Sequence, residues 1–172
     1  MTTADNDVKG IGGWLILPAI GLIAIPIQIA LSFYTDYLPI FRDGGWELLT
    51  TPGSEHYHPL WARTIVYEII GSAAYLLFGL YVAFLFFSKS YKFPAFMIVL
   101  LVANIVLAAG SLYLADLIPA IEAGEKMQMS SEITRAVLSA LIWIPYFVVS
   151  KRVKNTFVRP ESGHQPAPDY SS

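Results

Sequence analysis

The chain has 172 residues, a formal charge of −2, 55 % hydrophobic residues against 14 % charged ones, and a mean hydropathy of +0.55. That composition lies outside the range of soluble globular domains and marks an integral membrane protein of one domain. It excludes a nucleic-acid-binding module, which needs clustered basic residues, and the lack of cysteine excludes disulfides, thiol redox chemistry, iron–sulfur clusters and cysteine lipidation.

Residues 1–12 read as a flexible N-terminal lead-in. Its "MTTADNDVKG" sets Asp5 and Asp7 against Lys9 alone, so the apolar run that follows is a retained span rather than a secretory signal. The glycines of "KGIGGW" follow no strand and are no phosphate loop. The first span covers residues 13–35, longer than the roughly 20 residues that cross the hydrocarbon as a helix. Pro18 and Pro26 within it each remove a backbone hydrogen bond, which predicts a bent helix.

Loop one, residues 36–59, carries Leu38, Ile40, Phe41, Trp46, Leu48 and Leu49 and is expected along the membrane interface. Gly44 and Gly45 before "WELL" predict a short helix stopping at Pro52 and Gly53; the alternative is a plain surface loop. Its end, "SEHYHP", brings Glu55, His56 and His58 together, side chains able to bind zinc or copper. Two histidines at i, i+2 diverge when extended, and a structural zinc site wants about four ligands, so the pattern is weak.

Span two, residues 60–88, contains Glu68 inside "VYEIIGSAAYLLFG". An ionised carboxylate in hydrocarbon is costly, and such acids face a partner or a cavity. Helical steps gather Thr64, Glu68, Gly71, Ser72, Tyr75 and Gly79 on one stripe, where small residues permit close helix approach and hydroxyls can bond across to a neighbour. Span three, residues 94–118, starts at Pro94, suited to a first helical turn. It forms an antiparallel hairpin with span two. Its polar stripe is Asn104, Ala108 and Ser111; Gly21, Gln28 and Ser32 supply one on span one.

Span four, residues 133–150, follows a solvated acidic loop, with Ser130 or Ser131 as helix N-cap and Arg135 and Ser139 on its polar side. Glu68 lies about 10 Å below Trp61 along a helix. A cation from the loop end can therefore reach it, with Arg135 the first candidate and Arg63 the second. Pro145 predicts a bend, after which the chain continues as helix, placing Phe157 near the lipid surface. In the final segment, residues 151–172, Lys151, Arg152 and Lys154 meet anionic lipid, and the Pro- and Ser-rich remainder is disordered. Lysines and arginines concentrate on the side holding both termini, so both are expected in the cytoplasm.

No span contains histidine, and Met97 is the only methionine within one, so no haem site or intramembrane Ser–His catalytic pair can be assembled. The expectation is a protein without enzymatic activity and without a cofactor.

Two stretches, "GIGGWLILPAIGLI" with Pro18 and "IWIPYFVVSKRVKNTFV" with Pro145 and its basic exit, resemble the ends of the bacterial family catalogued as domain of unknown function 2569. The resemblance runs roughly from Gly10 to Val158. It implies a four-span protein of a bacterial inner membrane and no assigned reaction, substrate or site residues.

The expected architecture is an all-α, integral membrane four-helix bundle with both termini cytoplasmic. The leading functional expectation is an interaction or accessory subunit that self-associates or joins a membrane complex through the span-two stripe, with Glu68 and Arg135 fixing the interior. The alternatives are a small oligomeric proton-coupled transporter using Glu68, its path lined by Gln28, Tyr75 and Asn104, and a metal sensor using Glu55, His56 and His58.

Overall fold

The computed structural model describes residues 10–158. The lead-in through Lys9 and the tail expected to be disordered lie, but for residues 10–12 and 151–158, outside the described residues. Apolar chain in lipid must satisfy its own backbone polar groups, and helices do this within one segment. Four helical stretches are long and apolar enough to cross a membrane: Gly13–Arg42, Trp61–Phe87, Phe93–Asp116 and Ala123–Val149. Among the described residues there is no strand, so the all-α four-helix expectation is met.

The first stretch is composite. A 3₁₀ turn, Gly13–Leu15, leads into α1 (Ile16–Ser32); a π-helical turn, Phe33–Tyr37, then joins it to α2 (Leu38–Arg42) without a break. The helix therefore runs seven residues beyond the expected end at residue 35, because Leu38, Ile40 and Phe41 continue its apolar character. Pro39 falls in the first turn of α2, where a missing N–H is tolerated. Pro18 likewise falls in the first turn of α1, leaving Pro26 as the interior proline.

Gly44, at φ +77°, takes the left-handed conformation that reverses the chain into α3 (Gly45–Thr50). A side chain at Gly45 would press on the Ile40 backbone, and Trp46 stacks on Phe41 at 5.5 Å. The short helix suggested by "GGWELL" is thus formed.

After α4 (Trp61–Phe87), the turn at Lys89 leads to α5 (Phe93–Asp116). α6 (Ala123–Val149) starts ten residues before the expected 133. The segment "AGEKMQM" consists mainly of strong helix formers, and Lys126 pairs with Asp116 at 3.5 Å across the turn. Ser130 and Ser131 are consequently not N-caps: the Ser131 hydroxyl donates to the Gln128 carbonyl, and Thr134 donates to that of Ser130.

The helices pack in chain order, α1 on α4, α4 on α5 and α5 on α6. The main core sits at the end where the two chain ends meet. Phe93 is its centre, with ring centroids 4.5 Å from Phe157, 4.9 Å from Phe86 and 5.6 Å from Phe147. Leu15, Leu22, Val82 and Leu100 complete it.

The expectation of a continuous helix after Pro145, with Phe157 at the lipid surface, is overturned here. α6 ends at Ser150, whose extended backbone (ψ 122°) starts a new helix, α7 (Lys151–Thr156), capped by the Ser150 hydroxyl, which accepts from the Val153 N–H at 3.4 Å. The chain folds back and buries Val153, Thr156 and Phe157. Thr156 clasps the other end: Gly10 N–H donates to its Oγ1 at 3.0 Å, and the hydroxyl faces the Gly10 carbonyl at 3.3 Å. A Cβ at Gly12 would stand 3.1 Å from Nη1 of Arg152, so that guanidinium lies over bare glycine backbone. Lys151 and Lys154 stay exposed.

Candidate functional site

Glu68 projects from α4 into a polar pocket of about 310 Å³ walled by all four long apolar stretches. The pocket lies in the half of the bundle away from the chain ends, since Glu68 is only seven residues from the start of α4, about 10 Å along it. From the first stretch come Gln28, Ser32 and Tyr37; from α4, Tyr67, Glu68, Ser72 and Tyr75; from α5, Asn104, Ala108 and Ser111; from α6, Met129 and Glu132.

The partner of Glu68 is Tyr37, whose hydroxyl donates to the carboxylate at 3.1 Å. The π-helical turn holds Tyr37 at that level. Ser72 faces the Tyr37 hydroxyl, and Ser111 faces the carboxyl. The charged neighbours acting on Glu68 are Asp36 and Glu132, both acids.

The expected partner Arg135 is exposed and does not line the pocket. It sits one turn from Glu132 in α6, yet Glu132 lines the pocket and Arg135 does not. Arg63 is exposed as well. Lys126 with Asp116 is the single ion pair among the described residues, so Glu68 is held by hydroxyls and not by a cation.

Of the polar residues expected inside, the structure brings together Glu68, Gln28, Tyr75 and Asn104 and leaves out Arg135. The span-two stripe divides. Gly71 and Ser72 line the pocket, and a Cβ at Gly71 would meet Leu107 of α5 at 3.0 Å. Gly79 is buried against Ile25 of α1, and Thr64 is buried. Gly79 and Thr64 thus serve packing within the chain, whereas Gly71, Ser72 and Tyr75 stay partly exposed.

Tyr37, Tyr67, Met129 and Glu132 are pocket residues the sequence did not reveal. Tyr67 fits because Gly110 has no side chain: a Cβ there would run into the Tyr67 hydroxyl, which donates to the Leu107 carbonyl at 3.2 Å. In loop one, His58 is engaged through Nδ1 by the Leu60 N–H at 3.4 Å. Among the described residues no three metal-capable acids or histidines gather, so Glu55, His56 and His58 are not joined in a site.

Chemically, the pocket offers two carboxylates, two amides, several hydroxyls and three tyrosine rings, and no lysine, arginine or histidine lines it. Glu68 is half-buried and Glu132 exposed at the pocket's open side; carboxylates attract cations more strongly the less water surrounds them, and tyrosine faces attract quaternary or methylated ammonium groups.

Residues 8–158 match the family model described as protein of unknown function, DUF2569. No curated protein and no solved structure matches the chain.

Proposed function

The chain belongs to the DUF2569 family, and we propose that it is a membrane-embedded binding protein or carrier, without chemistry of its own, that takes a small organic cation into the pocket around Glu68. The observation that carries this reading is the charge of the wall: Glu68 and Glu132 line it, Asp36 adds its field, and no basic residue compensates them. An ionised carboxylate kept only to fix helix order would be expected beside an arginine or lysine; a neutral one would not select cations, the difference that titration with tetramethylammonium reads. The tyrosines add a second signature of ammonium recognition.

The concentration of Lys89, Lys92, Lys151, Arg152 and Lys154 at the end bearing the termini supports a cytoplasmic location for both, in the inner membrane that the bacterial resemblance suggests. The pocket then faces the outer half of the bilayer, and α7 rests against anionic cytoplasmic lipid. Two of its cations, Lys151 and Lys154, are free to do so.

The test uses the full chain reconstituted in nanodiscs and titrated with tetramethylammonium. The reading expects saturable binding that Glu68→Gln weakens at least about tenfold, in line with the loss of one charge pair at low effective dielectric. Binding of equal strength in wild type and Glu68→Gln would refute it.

A further inference from the structure

A second cavity, of about 440 Å³, lies on the lipid-facing side of the α4–α5 hairpin. Its walls are Ala74 and Phe78 of α4 and Val99, Val102 and Val106 of α5, closed toward the bundle by residues it shares with the polar pocket, Gly71, Tyr75 and Leu107. Val102 and Val106 are 45 % and 62 % exposed, open toward the lipid.

The geometry gives this groove a direction. It starts at the level of Gly71, about 5 Å beyond Glu68, and runs about 10 Å along α4 to Phe78, toward the end bearing the termini. On the antiparallel α5 it descends from Leu107 to Val99 over a similar length. A polar, anionic pocket nearer one membrane surface thus adjoins an apolar channel leading toward the bilayer middle. That is the layout of a single-chain amphiphile standing in a leaflet, head outward and tail inward.

We infer that the ligand is an ammonium-headed amphiphile, its head in the Glu68 pocket and its alkyl chain in the groove between α4 and α5, with the Leu107 side chain at the boundary between the two. The inference rests on the cation-binding reading and adds its substrate class. The absence of a side chain at Gly71 matters here: Leu107 packs directly on the Gly71 backbone, so beside Tyr75 the wall between the two cavities is only one side chain thick.

The experiment compares dodecyltrimethylammonium with tetramethylammonium, both titrated into nanodiscs holding the wild type, Glu68→Gln, and two groove-filling variants, Val102→Trp and Ala74→Phe. Both substituted positions are exposed, and the unfolding transition of each variant in mixed micelles, measured without ligand, is the check that it is folded. Identical lipid in every sample cancels simple partitioning of the long chain. The groove variants are expected to bind dodecyltrimethylammonium about tenfold more weakly than wild type and tetramethylammonium unchanged, while Glu68→Gln weakens both. Unchanged binding of the long-chain ion in both groove variants, with Glu68→Gln still defective, would overturn the tail assignment and leave the head reading standing. Parallel loss of both ions in both groove variants would also overturn it, by showing no separate tail site. Failure of both ions to bind the wild type would remove the head reading and the inference together, and failure of the long-chain ion alone would overturn the tail assignment.

Discussion

The hydrogen bond between Tyr37 and Glu68 joins the first membrane-crossing stretch to α4 at 3.1 Å, and its strength can be measured without knowing any ligand. Tyr37→Phe removes the donor and leaves the ring; Glu68→Met removes the acceptor and keeps the side chain's length. Interhelical hydrogen bonds in membrane proteins average about 0.6 kcal/mol and reach about 1.7. A phenol donating to a carboxyl that also faces the Ser111 hydroxyl belongs in the upper half of that range, because charge-assisted bonds are the stronger ones. A double-mutant cycle, read by equilibrium unfolding in mixed micelles, should therefore give a coupling of about 1 to 1.7 kcal/mol. The companion cycle of Glu68→Gln with Arg135→Gln should stay below about 0.5 kcal/mol, as expected of residues without a shared contact. A larger coupling to Arg135 than to Tyr37 would refute the assignment.

Other perturbations test the remaining contacts. Gly110→Ala should displace the Tyr67 ring from its bond to Leu107, destabilising the bundle by about 1 to 3 kcal/mol and lowering tetramethylammonium affinity; equal stability and affinity would contradict the packing described. Phe93→Ala empties the centre of a four-phenylalanine cluster and should cost about 3 to 5 kcal/mol in the same unfolding assay. Thr156→Val removes both links to Gly10 and should cost about 1 to 3 kcal/mol, with faster proteolysis near both chain ends as an independent readout.

The sequence revealed the spans because twenty-residue apolar runs have few alternatives in lipid. Gln28, Glu68, Tyr75 and Asn104 could be placed inside because polar residues in such runs turn from lipid. What escaped were the helix ends. Tyr37 and Glu132 look like loop residues when spans are cut at the last clearly apolar position, yet both lie on helices that continue past that point. The pairing with Arg135 failed because span limits do not reveal which side of a helix faces a neighbour: Glu132 rather than Arg135 lines the pocket, and Tyr37, at the end of the π-helical turn, supplies the bond.

Phe157 illustrates a different limit. Ser150 looks like an ordinary helix residue in sequence, but its hydroxyl caps a new helix and turns the chain back. The motifs "GIGGW" and "SKRVKNTF" then meet through Gly10 with Thr156 and Gly12 with Arg152. Contacts between the two chain ends, 146 residues apart, leave no local pattern to read.

The central claim is that the Glu68 pocket is anionic and selects cations, and a single thiol reports this directly. Ser111→Cys places that thiol in the pocket, in a chain with no other cysteine. Its reaction rates with trimethylammonium-ethyl and sulfonatoethyl methanethiosulfonate, each normalised to a small free thiol, measure the local potential. The account predicts a cation preference of about tenfold or more that falls when Glu68→Gln is added. Equal normalised rates, or a preference indifferent to Glu68, would contradict it.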